Sequence, residues 1–243
     1  MKKLVSAAVV SAELLNPSYL LLTVDTGENI EVFSGQFAML SAPDVFLRRP
    51  FSVHDADGAV LSFLIKIAGP GTRGLAGLKT GAKISLLYPL GNGFRPSNKK
   101  AVLVGGGCGS APLLLLAKQL KNRPVIVLGG RTKDDILRQE IFARHAELRI
   151  ATEDGSLGVR GLITEELKNL STEHIVYACG PEPMLKSLHK LADEKKFELQ
   201  VSLESVMACG VGACLGCVTN TRKAGHVCVC ATGPVFAAED LPW

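Results

Sequence analysis

Cysteine spacing near the end of this 243-residue chain limits what it can fold into more than any other feature. The run reads Cys209-Gly-Val-Gly-Ala-Cys214-Leu-Gly-Cys217 and is followed, after a gap, by Cys228-Val-Cys230. Three cysteines at C-x4-C-x2-C spacing plus one distant cysteine are the ligand set of a plant-type [2Fe–2S] cluster. Two irons need four sulfurs converging from different directions, and a tight loop brings three of them in from one side. Gly210, Gly212 and Gly216 let that loop take positive φ and turn its amide N–H groups toward the cluster. The fourth ligand must come from a separate strand, and Cys228 and Cys230 are both candidates. A zinc site would prefer two C-x2-C pairs or Cys/His pairs. This chain has one C-x2-C, with His226 available to complete a set of three cysteines and one histidine. Disulfides suit small secreted domains better than a chain of this length.

The length predicts one to two domains, and a hydrophobic content of 47% is ample for a buried core. The net charge of +4 is mild, and no Lys/Arg block interleaves with aromatics, so nucleic-acid binding has no support. Seven cysteines around a cluster point to a reducing compartment, and the expected location is cytoplasmic. Lys2-Lys3 followed by Leu4 to Val10 mimics a signal peptide, but Glu13 interrupts the short apolar run, and a first β-strand explains the same residues. No stretch approaches the roughly 18 apolar residues of a membrane span.

Residues 1–97 read as an antiparallel barrel. Leu20–Val24, Ile30–Phe33 and Leu61–Ile67 carry β-formers, separated by turn signals at Asn16-Pro17, Asp25-Thr-Gly27 and Asp57-Gly58. Two pieces look chemical. In Arg48-Arg49-Pro50-Phe51-Ser52, an Arg fork suits phosphate oxygens, and strand alternation sends neighbouring side chains to opposite faces. Gly69-Pro70-Gly71-Thr72-Arg73-Gly74 reads as a Gly-rich loop opening a short helix. Taken singly, Arg49 is equally readable as an edge-strand charge, with Pro50 blocking edge pairing, and the loop as a turn.

Residues 98–198 change character. Ala101–Val104 is an apolar run of the kind found in buried parallel strands; it feeds Gly105-Gly106-Gly107-Cys108-Gly109-Ser110-Ala111-Pro112 and then a helical stretch, Leu113 to Leu120. Strand, Gly-rich turn and helix start together make a pyrophosphate cradle. Further strands are expected at Val125–Leu128, Leu148–Ala151 and Ile175–Cys179, with helices around 134–145 and 163–170, giving an α/β sheet. Cys108 and Cys179 have no C-x-x-C partner and read as small apolar fillers. Residues 199–243 form a third unit holding the cysteine run. It has a strand at Val218–Thr221, a returning strand over His226–Cys230, and an apolar tail whose terminal Trp243 suggests burial or a partner.

Arg49-Pro-Phe-Ser52 followed by Gly71-Thr72 resembles the flavin-binding barrel of the ferredoxin–NADP reductase superfamily. The Gly-Gly-Gly-x-Gly-x-Ala-Pro turn and Cys179-Gly180-Pro181-Glu-Pro-Met184 are similar to the nicotinamide-binding half of that superfamily. The resemblance implies FAD held by Arg49, Pro50, Phe51, Ser52, Leu64, Ile65, Lys66, Gly71 and Thr72. Phe51 stands where Tyr is common, so it stacks without donating a hydrogen bond. NAD is implied at Gly105, Gly107, Gly109, Cys179, Gly180 and Pro181; Arg131 is open to either a 2′-phosphate or the adenosine ribose and pyrophosphate. With Leu203-Glu204-x-x-Met207-Ala-Cys209 and Cys-x-x-Gly-Pro-Val-Phe, the whole chain resembles the electron-transfer subunits of class 1B (NAD-dependent) dihydroorotate dehydrogenase. That resemblance implies Cys209, Cys214, Cys217 and Cys230 as cluster ligands. It also implies an FMN-containing catalytic partner in a heterotetramer of two subunits of each kind, with electrons passing from FMN through the cluster and FAD to NAD+. The chain shows no motif setting a nucleophile or acid/base pair against a pyrimidine, as expected if the partner does the substrate chemistry. Rival readings are a reductase subunit of another complex, of hydrogenase γ-type or NAD(P)H–ferredoxin reductase kind, and a non-catalytic zinc-bearing scaffold.

Overall fold

The computed structural model describes residues 2–243. The first stretch of β-formers folds as β1 (Lys3–Asn16), β2 (Tyr19–Asp25), β3 (Phe37–Leu40), β4 (Arg49–Ser52), β5 (Asp55–Asp57), β6 (Val60–Lys66), helix α1 (Pro70–Ala76) and β7 (Lys83–Leu90). These strands make one antiparallel half-barrel sheet in the order β4-β3-β7-β1-β2-β6-β5. Leu20, Leu22, Phe63, Ile65 and Leu86 fill its concave side. The residues that mimic a leader peptide are β1, central in this sheet and paired with both β2 and β7. Ile30–Phe33 is not a strand. Side chains take up its backbone groups instead: Phe33 N–H donates to Gln36 Oε1 and Gln119 Nε2 donates to Val32 O, so the segment needs no neighbouring strand.

The chain continues through β8 (Lys100–Gly106), α2 (Leu113–Gln119), β9 (Val125–Gly130), α3 (Gln139–His145), β10 (Glu147–Thr152), β11 (Val159–Arg160), β12 (His174–Cys179), α4 (Glu182–Lys195) and β13 (Glu198–Ser202). It ends with the hairpin β14 (Val218–Thr221) and β15 (Gly225–Cys228), the short helix α5 (Val229–Thr232) and β16 (Val235–Ala237). The second sheet runs β11-β10-β9-β8-β12-β13-β16, parallel except for β16, which joins β13 antiparallel. Succession runs to β9 on one side of β8 and β12 lies on the other, so a crevice opens at their carboxyl ends, where Gly105 faces Cys179.

Two expected helices are shorter than their sequence patterns. Over 134–145, a 3₁₀ turn at Lys133–Asp135 precedes α3, which begins only at Gln139 after Arg138 takes φ 57°. Asp135 ends that turn, its carboxylate accepting from Arg131 N–H and from the Tyr19 hydroxyl. Over 163–170 only the 3₁₀ turn Ile163–Leu167 forms, with Ile163 so close to β9 that a Cβ on Gly129 would meet its Cδ1 at 2.8 Å. Trp243 packs edge-to-face on His189 of α4, with ring centroids 5.9 Å apart.

Asn92 and His54 are among the residues that fix how the units meet. Asn92, just past β7, donates to Thr232 O (3.0 Å) and Val235 O (2.8 Å) and accepts from Val235 N–H (2.9 Å), fastening the C-terminal segment to the barrel. His54 Nδ1 donates to Ala111 O at 2.8 Å, joining the link between β4 and β5 to the Gly-rich turn. Burial, against the smaller pull of that hydrogen bond, brings the His54 pKa down to about 4 from 6.5.

Asn92→Ala removes three hydrogen bonds and is expected to lower unfolding stability by about 1–3 kcal/mol in denaturant titration. His54 binds a proton in the unfolded chain below its ordinary pKa of 6.5 but in the folded chain only near 4, so stability falls as pH drops between those values. The expected loss is on the order of 3 kcal/mol. His54→Asn, which keeps a donor for Ala111 O but does not titrate, should show a correspondingly flatter pH dependence in urea unfolding.

Candidate functional site

A cavity of about 730 Å³ opens where the half-barrel, the second sheet and the C-terminal segment meet. Pairing of β3 with β4 sets Phe37 opposite Ser52 and Met39 opposite Pro50. Phe37, Pro50, Phe51 and Ser52 line the cavity from the barrel side, with Leu64 and Lys66 of β6 beside them. Gly106, Gly107 and Gly109 form the opposite wall with Cys179 and Pro181. Gly109 is pressed so closely onto β12 that a Cβ there would lie 2.3 Å from Cys179 O and 2.5 Å from Gly180 Cα.

Six residues that the resemblance assigns to cofactors stand outside this lining. Ile65 points into the barrel core, so only its backbone faces the cavity side of β6. Gly105 and Gly180 lie just behind the wall; a Cβ on Gly180 would come within 3.1 Å of Gly106 Cα. Arg49, Gly71 and Thr72 form a separate corner. A Cβ on Gly71 would sit 3.5 Å from Arg49 Nε, and Thr72 Oγ1 accepts from the N–H groups of Ala68 and Gly69, fixing the start of α1.

The far end of the cavity carries polar residues that no motif announces. Tyr19 OH donates to Asp135 Oδ1 at 2.7 Å, across the junction between barrel and second sheet. Burial alone would raise the Asp135 carboxyl, but hydrogen bonds from Tyr19 and from the backbone of Arg131 outweigh it and hold the acid below its ordinary range. Burial pushes the Tyr19 phenol up. Arg131 and Glu153 line the same end. Glu204, Ser205 and Met207, which precede the cysteine run, also line the cavity and bring the third unit to its edge. Burial raises the Cys108 thiol to about 12 and that of Cys179 as well. Cys108 Sγ lies 3.3 Å from Leu64 O. Neither thiol is poised to react.

The cysteine loop fits a two-iron cluster by the chemistry of its donors. Cys209 lies beside Cys214, and Cys217 beside both Cys230 and Cys228, so five thiols gather at the loop, enough to supply the four cysteine ligands of a two-iron cluster. Among the described residues no three His, Cys, Asp or Glu side chains converge on a single point. Backbone N–H groups already point at the sulfurs. Val211 and Cys214 donate to Cys209 Sγ at 3.4 Å each, Gly212 donates to Cys230 Sγ at 3.1 Å, and Cys230 donates to Cys217 Sγ at 3.4 Å. The donors on Cys209 bring its thiol down to about 6, a thiolate-favouring setting. Cys230 is buried at the start of α5, whereas Cys228 ends β15 with its Sγ 3.9 Å from Gly212 O. Just before the loop Val206 is 87% exposed, and within it Leu215 is 66% exposed and Cys214 open to solvent.

Comparison with known proteins gives a consistent set of likenesses. The family model described as the iron-sulfur cluster binding domain of dihydroorotate dehydrogenase B matches residues 204–242. The electron transfer subunit of dihydroorotate dehydrogenase B (NAD(+)) from Caldanaerobacter subterraneus subsp. tengcongensis is 40% identical over 213 residues, covering 85% of this chain and 86% of its own length. Its counterpart from Clostridium acetobutylicum is 40% identical over 220 residues, 87% of each chain. Among solved structures, an NADH-dependent reduced ferredoxin-NADP oxidoreductase studied for flavin-based electron bifurcation superposes with a TM-score of 0.88 at 28% identity, over 98% of this chain and 90% of its own. A ferredoxin NADP+ reductase from Neisseria gonorrhoeae with bound FAD and NADP shares the fold, with a TM-score of 0.68 at 20% identity, over 79% and 92% of the two chains.

Gly109→Ala tests the tightness of the crevice. The contacts it creates are with backbone, which cannot swing away, so a loss of about 1–3 kcal/mol in stability is expected. NADH binding by calorimetry should weaken in parallel, because the Gly-rich turn must move off β12.

Proposed function

Because this chain belongs to the family of electron-transfer subunits of dihydroorotate dehydrogenase B (NAD(+)), we propose that it links an FMN-containing, dihydroorotate-oxidising subunit to NAD+ in pyrimidine (UMP) synthesis, by way of a [2Fe–2S] cluster and FAD. FAD exchanges two electrons with nicotinamide as a hydride and exchanges electrons singly with a cluster, so it converts between the two kinds of partner. The chain's residues hold, orient and insulate these groups.

Pro50, Phe51 and Ser52 with Leu64 and Lys66 form the surface for the flavin ring, and the backbone of Ile65 completes that strand. Arg49 with the Gly71-Thr72 turn takes the flavin's phosphates, since the absent Cβ of Gly71 leaves Arg49 room at the start of α1. Gly105, Gly107 and Gly109 admit the pyrophosphate of NAD, and Cys179-Gly180-Pro181 border its nicotinamide. Cys209, Cys214, Cys217 and Cys230 ligate the cluster, with Cys228 as its neighbour. The division into a flavin unit (1–97), a nicotinamide unit (98–198) and a cluster unit (199–243) follows these roles. Val206, Leu215 and the rim of the cluster loop face the catalytic subunit, in a cytoplasmic heterotetramer of two subunits of each kind. The observation carrying this reading is that these thiols lie in a segment whose leading residues Glu204, Ser205 and Met207 line the cavity shared by the other two units.

The test is reconstitution of the chain with its catalytic partner. Co-purification and dihydroorotate-dependent reduction of NAD+ support the proposal; a flavin- and iron-loaded chain that leaves NAD+ unreduced in the presence of an active partner contradicts it. The likeness over 98% of the chain to a ferredoxin-NADP oxidoreductase favours one second reading, a reductase subunit of another complex. Electron exchange with ferredoxin but not with the dihydroorotate-oxidising subunit would select it. For the fourth ligand, Cys230→Ser is expected to abolish most bound iron, while Cys228→Ser retains it, as measured by iron analysis of anaerobically purified protein.

A further inference from the structure

One face of strand β3 meets both the cavity and the cysteine loop. Its pairing with β4 sets Phe37, Met39, Pro50 and Ser52 on one face of the sheet. Three of these, Phe37, Pro50 and Ser52, line the cavity; Met39 does not. Met39 is fully buried, in the same apolar cluster as Met207, Cys217 and Cys230. It is covered by Gly210, the residue following Cys209. A Cβ on Gly210 would lie 2.6 Å from Met39 Cγ and 3.1 Å from its Sδ, and φ at Gly210 is +71°. The loop therefore rests its bare backbone on the Met39 side chain, and that side chain sits beside the Pro50 wall of the cavity.

We propose that Met39, seated against the bare Cα of Gly210, fixes the gap between the flavin cavity and the cluster cysteines and thereby sets the rate of one-electron transfer between them. The proposal rests on the cofactor placement given above and adds to it the residue pair that determines spacing. Electron tunnelling weakens steeply with separation and is poorer across a void than through packed atoms, and a flexible, polarisable thioether is suited to filling an irregular gap without one. One electron leaves the flavin as one enters the cluster, and no covalent bond in the chain forms or breaks. Met39 is a positioning residue. It touches the loop that carries the ligands and the strand that backs the cavity, and any residue that leaves a space or pushes the loop away lengthens the path.

The experiment is anaerobic stopped-flow reduction of the full, cofactor-loaded chain by NADH, following flavin and cluster bands separately, with freeze-quench EPR of the reduced cluster and iron analysis of each variant. In Met39→Ala the flavin phase should keep its wild-type rate, while the cluster phase, normalised to loaded cluster, slows roughly tenfold to a hundredfold. Gly210→Ala, which pushes the loop outward, should slow the same phase; should it lose iron, Met39→Ala decides alone. Met39→Leu, close in volume, should restore most of the rate. A cluster phase of wild-type rate in Met39→Ala, with the EPR spectrum unchanged, overturns the proposal. A wild-type chain without flavin or cluster bands overturns instead the cofactor placement beneath it, so the two failures are distinct.

Discussion

The return of the C-terminal segment into the second sheet is the interaction on which the rest depends. Strand β16 pairs antiparallel with β13, Val201 opposite Phe236, while Asn92 binds the same segment from the barrel side. Between β13 and β16 the chain loops out through the cysteines and back, so the loop is held to the second sheet at both of its ends and to the barrel at its return. Remove either anchor and the cluster loop becomes an appendage of the nicotinamide unit, with no fixed distance to the cavity. Electron transfer tolerates little of that freedom, which explains why so small a unit is tied at both ends.

The second requirement is insulation. Cys108 and Cys179 border the cavity but are kept protonated by burial, which leaves both thiols unreactive. Cys209 is in the opposite state, its sulfur ringed by amide N–H groups that favour a thiolate. Burial and directed amides thus sort chemically identical side chains into inert fillers and thiols disposed to ionise. The barrel meets the second sheet through His54 to Ala111 O and Tyr19 to Asp135, among other contacts.

Local pattern and long-range contact divide what was legible in the sequence. The cysteine spacing, the Gly-rich turn and the apolar runs at 101–104, 125–128 and 175–179 carry their structure in neighbouring residues, and the antiparallel and parallel sheets follow from them. Ile30–Phe33 has strand propensity but no strand, because Gln36 and Gln119 satisfy its backbone and no propensity scale sees Gln119. Asp135 ends a short 3₁₀ turn where the pattern suggests a longer helix, and its bond to Tyr19 spans 116 residues. Ile65 belongs to the matching flavin pattern, yet its side chain faces the core, since alternation along β6 offers the cavity only Leu64 and Lys66. The Met39–Gly210 contact has no signature in either stretch; only the fold brings them together.

The most direct test of the account is a reductive titration of the purified chain with NADH under anaerobic conditions, followed by absorbance and EPR. A chain carrying both FAD and a [2Fe–2S] cluster in electronic contact should take up about three electron equivalents, two at the flavin and one at the cluster, with a cluster EPR signal appearing as flavin absorbance falls. Uptake that stops at the flavin, with iron present but its EPR signal absent, would contradict the claim that this fold joins the two carriers into one path.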